Sequence, residues 1–308
     1  MHTVSGRAFI TGMSGFAGRH LAALLLREGW AVEGTVRSRS AQLPGAVEHR
    51  LEVDDVEGLR GAISQFAPEV VYHLAAVVDT ITTPDVLALY RTNTLGTAAI
   101  LEAVATASSV QRVLVASSAF AYGRTPPELQ PVPETAPLEP LTAYGASKVA
   151  SEAIALQWGR SSGVEVVVTR AFQHTGPGHV GNYALADWAS QLASGASEIR
   201  VGNLDVARDY LDVRDAVTAY RCLVEAGTPG QVYNVGSGTP VTMAALLQGL
   251  VEAFGGNAEI VVDPDRVRPV DQPVFYADIT RLRRDTDWAP AYSLERTLAD
   301  LAGWRRQR

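Results

Sequence analysis

Tyr144 and Lys148 stand four residues apart in the stretch AYGASK. At helical spacing both side chains share one face. A phenol with an ordinary pKa of about 10 is a poor proton-transfer group at neutral pH, and a neighbouring ammonium favours the phenolate. A downward shift of about 3 units is worth roughly 4 kcal/mol and would let the phenol exchange a proton with a carbonyl or alcohol. The apolar run VLVASSAFAYG carries two adjacent serines, Ser117 and Ser118, and no charge. Either serine ends a strand, and one of them could reach a reacting oxygen. The run ITGMSGFAGRHLAALLL supplies Gly12, Gly15 and Gly18 in a GxxGxxG spacing between an apolar strand and a helix. Such a turn lets the backbone approach a phosphate, and the helix N-terminus adds free N–H groups and a positive dipole end. The second strand ends in TVRSRS, with Arg37 and Arg39 and no acid. An acid there would bind the ribose hydroxyls of NAD, whereas Arg accommodates the extra phosphate of NADP. Arg37, directly after the strand, is the expected phosphate partner.

These groups need a scaffold that brings distant segments together. Five apolar runs of strand length occur at 8–11, 31–36, 70–75, 112–117 and 164–170, with helical stretches between them. Continuous apolar strands alternating with helices indicate a parallel sheet covered on both faces, an α/β doubly wound Rossmann fold. Beyond Arg170 the chain changes to AFQHTGPGHVGNY. Helices at 184–194, from Asp212, at 243–254 and from Leu294 follow, with a strand at 232–235. This indicates a smaller C-terminal α/β lobe. Residues 1–172, with 209–237 returning, form the expected dinucleotide domain; 173–208 and 238–308 form the expected substrate-binding lobe. The 308 residues carry a net charge of −7, which argues against nucleic-acid binding, and one cysteine, Cys222, which fits a reducing cytoplasmic compartment. No apolar run is long enough to span a bilayer, and no metal-ligand spacing is found.

Together, TGMSGFAG, HLAA, NTLGT, ASSAFAYG and YGASK, in this order, resemble the extended short-chain dehydrogenase/reductases that act on nucleotide sugars. The resemblance implies a catalytic set of Ser118, Tyr144 and Lys148. Ser118 would bond the reacting oxygen, Tyr144 would move its proton, and Lys148 would tune Tyr144 and hold the nicotinamide ribose. It implies a cofactor site of Gly12, Ser14, Gly15, Phe16, Ala17, Gly18, Arg37, Val53, Asp54, Leu74, Ala75, Ala76, Asn93 and Ala171, together with Tyr144 and Lys148. Asp54 would meet the adenine. A homodimer through the helical stretches near 85–107 and 144–162 is a family-level expectation. The segments VGNLDVARDYLDVRD, AFQHTGPGH and RPVDQPVFYADITRLRRDTDW resemble one subgroup, the GDP-4-keto-6-deoxy-mannose reductases. That resemblance implies an NADPH-dependent 4-ketoreductase forming GDP-6-deoxy-D-mannose, with Arg208 and Arg268 clamping the diphosphate and Gln173 and His174 on the sugar side. The family commonly has Asn where this chain has Gln173, and one extra methylene moves the amide by more than about an ångström.

Related 4,6-dehydratases remove a C5 proton and expel the C6 hydroxyl, using carboxylates carried just after the strand-end serine. Here those positions are Ala119 and Phe120, which disfavours dehydration and favours reduction. A 4-epimerase on the same Ser–Tyr–Lys set, a reductase of another nucleotide-linked keto sugar, and a redox-sensing binding protein on this fold remain as alternatives.

Overall fold

The computed structural model describes residues 6–78, 85–181, 183–267 and 272–307. Along the chain the elements are β1 (Arg7–Thr11), α1 (Phe16–Arg27), β2 (Ala31–Val36), β3 (Ala46–Arg50), α2 (Val56–Phe66), β4 (Val70–His73), α3 (Val86–Tyr90), α4 (Gly96–Val104), β5 (Arg112–Ser118), α5 (Ala143–Ser162), β6 (Glu165–Ala171) and β7 (Gln173–Thr175). Then come α6 (Ala184–Ala193), β8 (Glu198–Val201), β9 (Ala207–Asp212), α7 (Val213–Ala226), β10 (Val232–Val235), β11 (Pro240–Thr242), α8 (Met243–Phe254), β12 (Glu259–Val262), β13 (Val274–Phe275), α9 (Thr280–Thr286) and α10 (Leu294–Arg306).

Seven strands form one parallel sheet in the order β10-β6-β5-β4-β1-β2-β3. The order reverses direction at β1, so the carboxyl ends of β1 and β4 flank the crevice where open α/β sheets bind ligands. Alternation along β1 explains why both faces are covered. Ala8 and Ile10 enter the core built with Leu21 and Leu25 of α1 and Ala216 and Tyr220 of α7. Phe9 enters the opposite core, with Leu59 and Ile63 of α2 and Ile100 and Val104 of α4. The second sheet is centred on β9, which pairs with β11, β13 and β7. A third core joins Leu185 and Trp188 of α6 to Leu246 and Leu250 of α8 and Leu298 and Leu301 of α10.

Two elements differ from the sequence reading. β3 is an edge strand whose residues are all half-buried or exposed, so AVEHR lacks the apolar run that marks its neighbours. The stretch expected as one long helix is broken between α3 and α4 by a π-helical turn at Arg91–Leu95. Within that wide turn Asn93 is fully buried, and its carbonyl accepts from Thr97 Oγ1 at 2.7 Å and Ser151 Oγ at 2.8 Å.

Candidate active site

Thr142 caps α5 by accepting from Gly145 N at 3.0 Å, which sets Tyr144 and Lys148 in its first turns. A Cβ on Gly145 would stand 2.4 Å from the Phe120 carbonyl oxygen, so only glycine lets α5 press against the turn that follows β5. That contact sets Tyr144 beside Ser118, close enough for the serine hydroxyl to act on the phenol. Ser118 Oγ accepts from Phe120 N at 3.2 Å, which leaves its own proton for a partner. Lys148 Nζ donates to the Ala116 carbonyl at 2.9 Å and lies 5.9 Å from the Tyr144 ring centroid. Phe120 meets Tyr144 edge-on at 5.9 Å, and Ala119 is buried.

The electrostatics depart from the expected phenolate. Burial pushes the Tyr144 phenol well above its ordinary value, and the nearby Ser118 hydroxyl offsets this only in part. Burial also lowers the Lys148 ammonium to about 8, against the opposing charge of Glu152. Desolvation outweighs the lysine because its ammonium is aimed at the Ala116 carbonyl and not at the phenolic oxygen. Tyr144 therefore holds its proton and is set up as an acid.

The three glycines have separate jobs. Gly12 adopts φ +71°, and a Cβ there would lie 2.8 Å from Ala75 Cα. Gly18 lies inside α1, where a Cβ would stand 2.4 Å from the Gly12 carbonyl oxygen, so the helix packs directly on the turn. Gly15 is the exposed N-cap of α1 and carries no side chain to occupy the first-turn N–H groups. Those donors point to where an anion would sit. Ser14 and Ala17 are half-buried beside them.

Around this turn, Arg37 and Arg39 are exposed just beyond β2. Asp54 is exposed before α2, whereas its neighbour Asp55 caps the helix by accepting from Gly58 N at 3.0 Å. Val53 is buried against Gly96. Leu74, Ala75 and Ala76 are half-buried past the end of β4, and Ala75 N donates to Thr11 Oγ1 at 3.2 Å. Thr11 in turn donates to His73 Nδ1, since Thr97 Oγ1, which donates to Asn93 O, must accept from His73 Nε2 at 3.0 Å. Burial lowers His73 to about 3, so it is a neutral packed imidazole. Asn93 differs from the expected cofactor contact. Its amide is committed to Val77 N, Val77 O and Ser147 Oγ, so it positions the 74–77 segment against α5 and does not face a ligand.

On the sugar side, Ala171 ends β6 in register with Ser118. Gln173 begins β7, and its Oε1 is buried without a hydrogen-bond partner among the described residues. His174 stacks on Phe16 at 5.8 Å and 5°, and its Nδ1 donates to Phe172 O at 3.2 Å. His179 also stacks on Phe16, at 4.9 Å and 16°, and His20 meets the ring edge-on. Phe16 thus ties the glycine turn to the 172–181 segment, a long-range contact that no local motif signals. Arg208 Nη1 donates to the carbonyls of Ala207 and Gln272 at 2.7 and 2.8 Å. Arg268 lies outside the described residues. Gln272 accepts from Thr125 Oγ1 at 2.7 Å and donates to Gly123 O at 2.6 Å, which holds it beside the loop after β5.

Sequence reading missed the ion pair beneath the site. Arg170 and Glu152 are buried and joined by Nη2–Oε2 at 2.7 Å and Nε–Oε1 at 3.0 Å. Ser117, read as a strand end, donates to Glu152 Oε1 at 2.5 Å. Among the described residues no group of three or more His, Cys, Asp or Glu is arranged to hold a metal ion, and no helix is long and apolar enough to cross a membrane.

A seven-stranded doubly wound sheet, a glycine turn at an uncapped helix N-terminus and a Ser–Tyr–Lys set define a dinucleotide-dependent oxidoreductase of the short-chain dehydrogenase/reductase type. Residues 9–301 match the GDP-mannose 4,6 dehydratase family, and the chain belongs to that family. It is 34% identical over 307 residues to GDP-6-deoxy-D-mannose reductase of Pseudomonas aeruginosa, covering 97% of each chain. Among solved structures it is similar to RMD from Pseudomonas aeruginosa complexed with NADPH, with TM-score 0.85, 31% identity and coverage of 99% and 100%. It is also similar to UDP-glucose 4-epimerase from Thermotoga maritima with UDP-glucose, with TM-score 0.90, 26% identity and coverage of 98% and 99%.

Proposed function

We propose that this protein reduces the C4 keto group of a GDP-4-keto-6-deoxy-hexose to give GDP-6-deoxy-D-mannose, with NADPH as the reductant. The observation that carries this reading is Tyr144 set beside Ser118 at the turn after β5 with no carboxylate in that turn. The residues after Ser118 are Ala119, a buried methyl, and Phe120, a ring against Tyr144. The likeness to the Pseudomonas aeruginosa reductase, and to RMD in complex with NADPH, supports it.

The chain fits the cofactor at several points: an uncapped α1 N-terminus for the pyrophosphate, Arg37 and Arg39 for a 2′-phosphate, and a buried Lys148 beside Tyr144 for the ribose. When bound, NADPH supplies the hydride to C4. Ser118 would donate a hydrogen bond to the carbonyl oxygen and polarise it, keeping its own proton. Tyr144 delivers its proton to the same oxygen as charge develops there. Val53 and Asp54 would flank the adenine, and Ser14 to Gly18 line the phosphate turn with Gly12. Leu74 to Ala76 and Ala171 would border the nicotinamide side. Arg268, with the Arg208 guanidinium whose Nη1 is anchored on the Ala207 and Gln272 carbonyls, would hold the diphosphate, and Gln173 faces the sugar with its unpartnered oxygen. In this reading segments 173–208 and 238–308 hold the nucleotide sugar. A homodimer through α3–α4 and α5 is part of the proposal, supported by Leu87 of α3 and Leu95 of the π-helical turn, which are 80% and 58% exposed.

NADPH oxidation measured against 4-keto-6-deoxy sugars carried on GDP, dTDP, UDP and CDP tests the assignment. Turnover restricted to the GDP compound is expected. No NADPH oxidation with that compound overturns it, and C4 epimer interconversion without cofactor turnover establishes the epimerase instead.

A further inference from the structure

Two strand ends beside the glycine turn gather three cations. Arg37 and Arg39 follow β2, and Arg50 ends β3 in register with Val36. All three are exposed, and among the described residues none has a carboxylate or hydrogen-bond partner. The backbone joining β2 to β3 is nevertheless held firmly. Glu48 Oε1 accepts from Ser40 Oγ at 2.8 Å and from Ala41 N at 2.7 Å. Ser40 Oγ accepts in turn from Gln42 N at 2.9 Å, Gln42 takes φ +54°, and Ala41 is fully buried. Register pairs Glu48 with Gly34 and Arg50 with Val36, and Val36 belongs to the core that α1 covers. Alternation therefore puts Glu48 and Arg50 on the α1 face, the face from which the glycine turn emerges.

A half-buried carboxylate at the rim of a cationic cluster would weaken an anion site if its charge were directed there. Here one oxygen is committed to two donors from the turn itself. We propose that Glu48 is a positioning residue for cofactor discrimination. Its latch on Ser40 and Ala41 holds the 37–41 turn in the shape that brings Arg37 and Arg39, with Arg50 alongside, to a 2′-phosphate. The inference rests on the NADPH reading above and deepens it. Without the latch the turn must be ordered by the ligand, and that ordering cost weakens binding of the phosphorylated nucleotide alone.

Binding of adenosine 2′,5′-bisphosphate and of 5′-AMP to the full chain, together with KM for NADPH and NADH, tests this. Glu48→Ala is expected to weaken the bisphosphate about tenfold, the equivalent of about 1.4 kcal/mol, and to raise KM for NADPH in step. Binding of 5′-AMP, KM for NADH and kcat stay within about twofold, which a general loss of folding would not allow. Glu48→Gln keeps an acceptor oxygen and is expected to restore most of the discrimination; Ser40→Ala removes half of the latch and falls between. Equal weakening of both nucleotides, or no change in Glu48→Ala while Arg37→Ala abolishes discrimination, overturns the latch and leaves the cofactor reading intact. A wild-type chain that binds both nucleotides equally overturns the cofactor reading itself.

Discussion

Removing Glu152 strikes the fold and the site at once. Glu152 is 3% exposed and its partner Arg170 is 5% exposed. Glu152→Ala leaves a guanidinium buried without a counter-charge, which costs about 3–5 kcal/mol, and part of that is the lost acceptor of Ser117. Glu152→Gln keeps an oxygen for Ser117 but not the charge, and is expected to cost about half as much. Replacing both partners with Met removes both charges; stability then returns to within about 2 kcal/mol of wild type, because the desolvation penalty of two buried ions disappears as well. Full recovery is not expected, since Arg170 also donates to Glu134 O at 2.9 Å and packs 4.7 Å from the Tyr122 ring centroid. The same carboxylate raises the pKa of Lys148, one helical turn away, against burial. In Glu152→Gln the ammonium therefore loses its proton below its present value of about 8, and the alkaline limb of the kcat/KM profile moves down in pH. Urea unfolding of wild type, Glu152→Ala and Glu152→Gln measures the single losses, and Glu152→Met, Arg170→Met and the Met/Met pair close the thermodynamic cycle. Additive losses in the double variant, or an alkaline limb that does not move, would refute the reasoning.

Two further outcomes follow from the same groups. Tyr144→Phe removes the proton donor while keeping the ring contact with Phe120, so kcat is expected to fall by about 10²–10⁴ with KM for NADPH within about twofold; steady-state rates that stay above a tenth of wild type would remove Tyr144 from this role. His73 and His179 are each held by burial at about 3, below the ordinary 6.5. Their protonation favours the unfolded chain, so the stability they contribute is present above about pH 6.5 and lost as pH falls from there towards 3. Between pH 7.5 and 5.5 each loses about 1.4 kcal/mol, about 3 kcal/mol together, before carboxylates titrate. Equal urea midpoints at the two pH values would contradict the neutral, packed imidazoles.

Features written in a short window of residues were legible in the sequence. The helices starting at Val213, Met243 and Leu294 are announced by Asp212, Thr242 and Ser293, whose side chains accept from Arg214, Ala245 and Arg296 N–H groups. Tyr144 and Lys148 were legible because one helix carries both, and the glycine turn because strand, turn and helix are contiguous. What escaped depends on partners far along the chain. Nothing near Phe16 announces His174 and His179 as its stacking partners. Glu152 and Arg170 are residue types that usually face water, so neither marks itself as buried. The π-helical turn at Arg91–Leu95 is a backbone state that apolar periodicity does not distinguish from a continuous helix. The direction of the Tyr144 shift depended on how the burial of the phenol weighs against where the lysine points, and spacing alone gives neither.

The missing carboxylate after Ser118 gains force from where the buried acids are. Among the described residues these are Glu152, Asp209, Asp212 and Asp215. Asp209 accepts from Ser237 N and Oγ, Gly238 N and Ala277 N, so it binds β9 to the turns around it. Asp212 caps α7 and holds Arg214 and Thr297. Asp215 accepts from Ala291 N and Tyr292 N, and Glu152 is paired with Arg170. Each is bound into a hydrogen-bonded or ionic structural set. Abstracting a C5 proton requires a base with an available lone pair at the sugar, and each of these four would first have to be freed from partners that hold the fold together. Reduction places no such demand. It requires a proton on a phenol beside a polarising hydroxyl, and the burial that pushes the Tyr144 pKa upward keeps that proton in place.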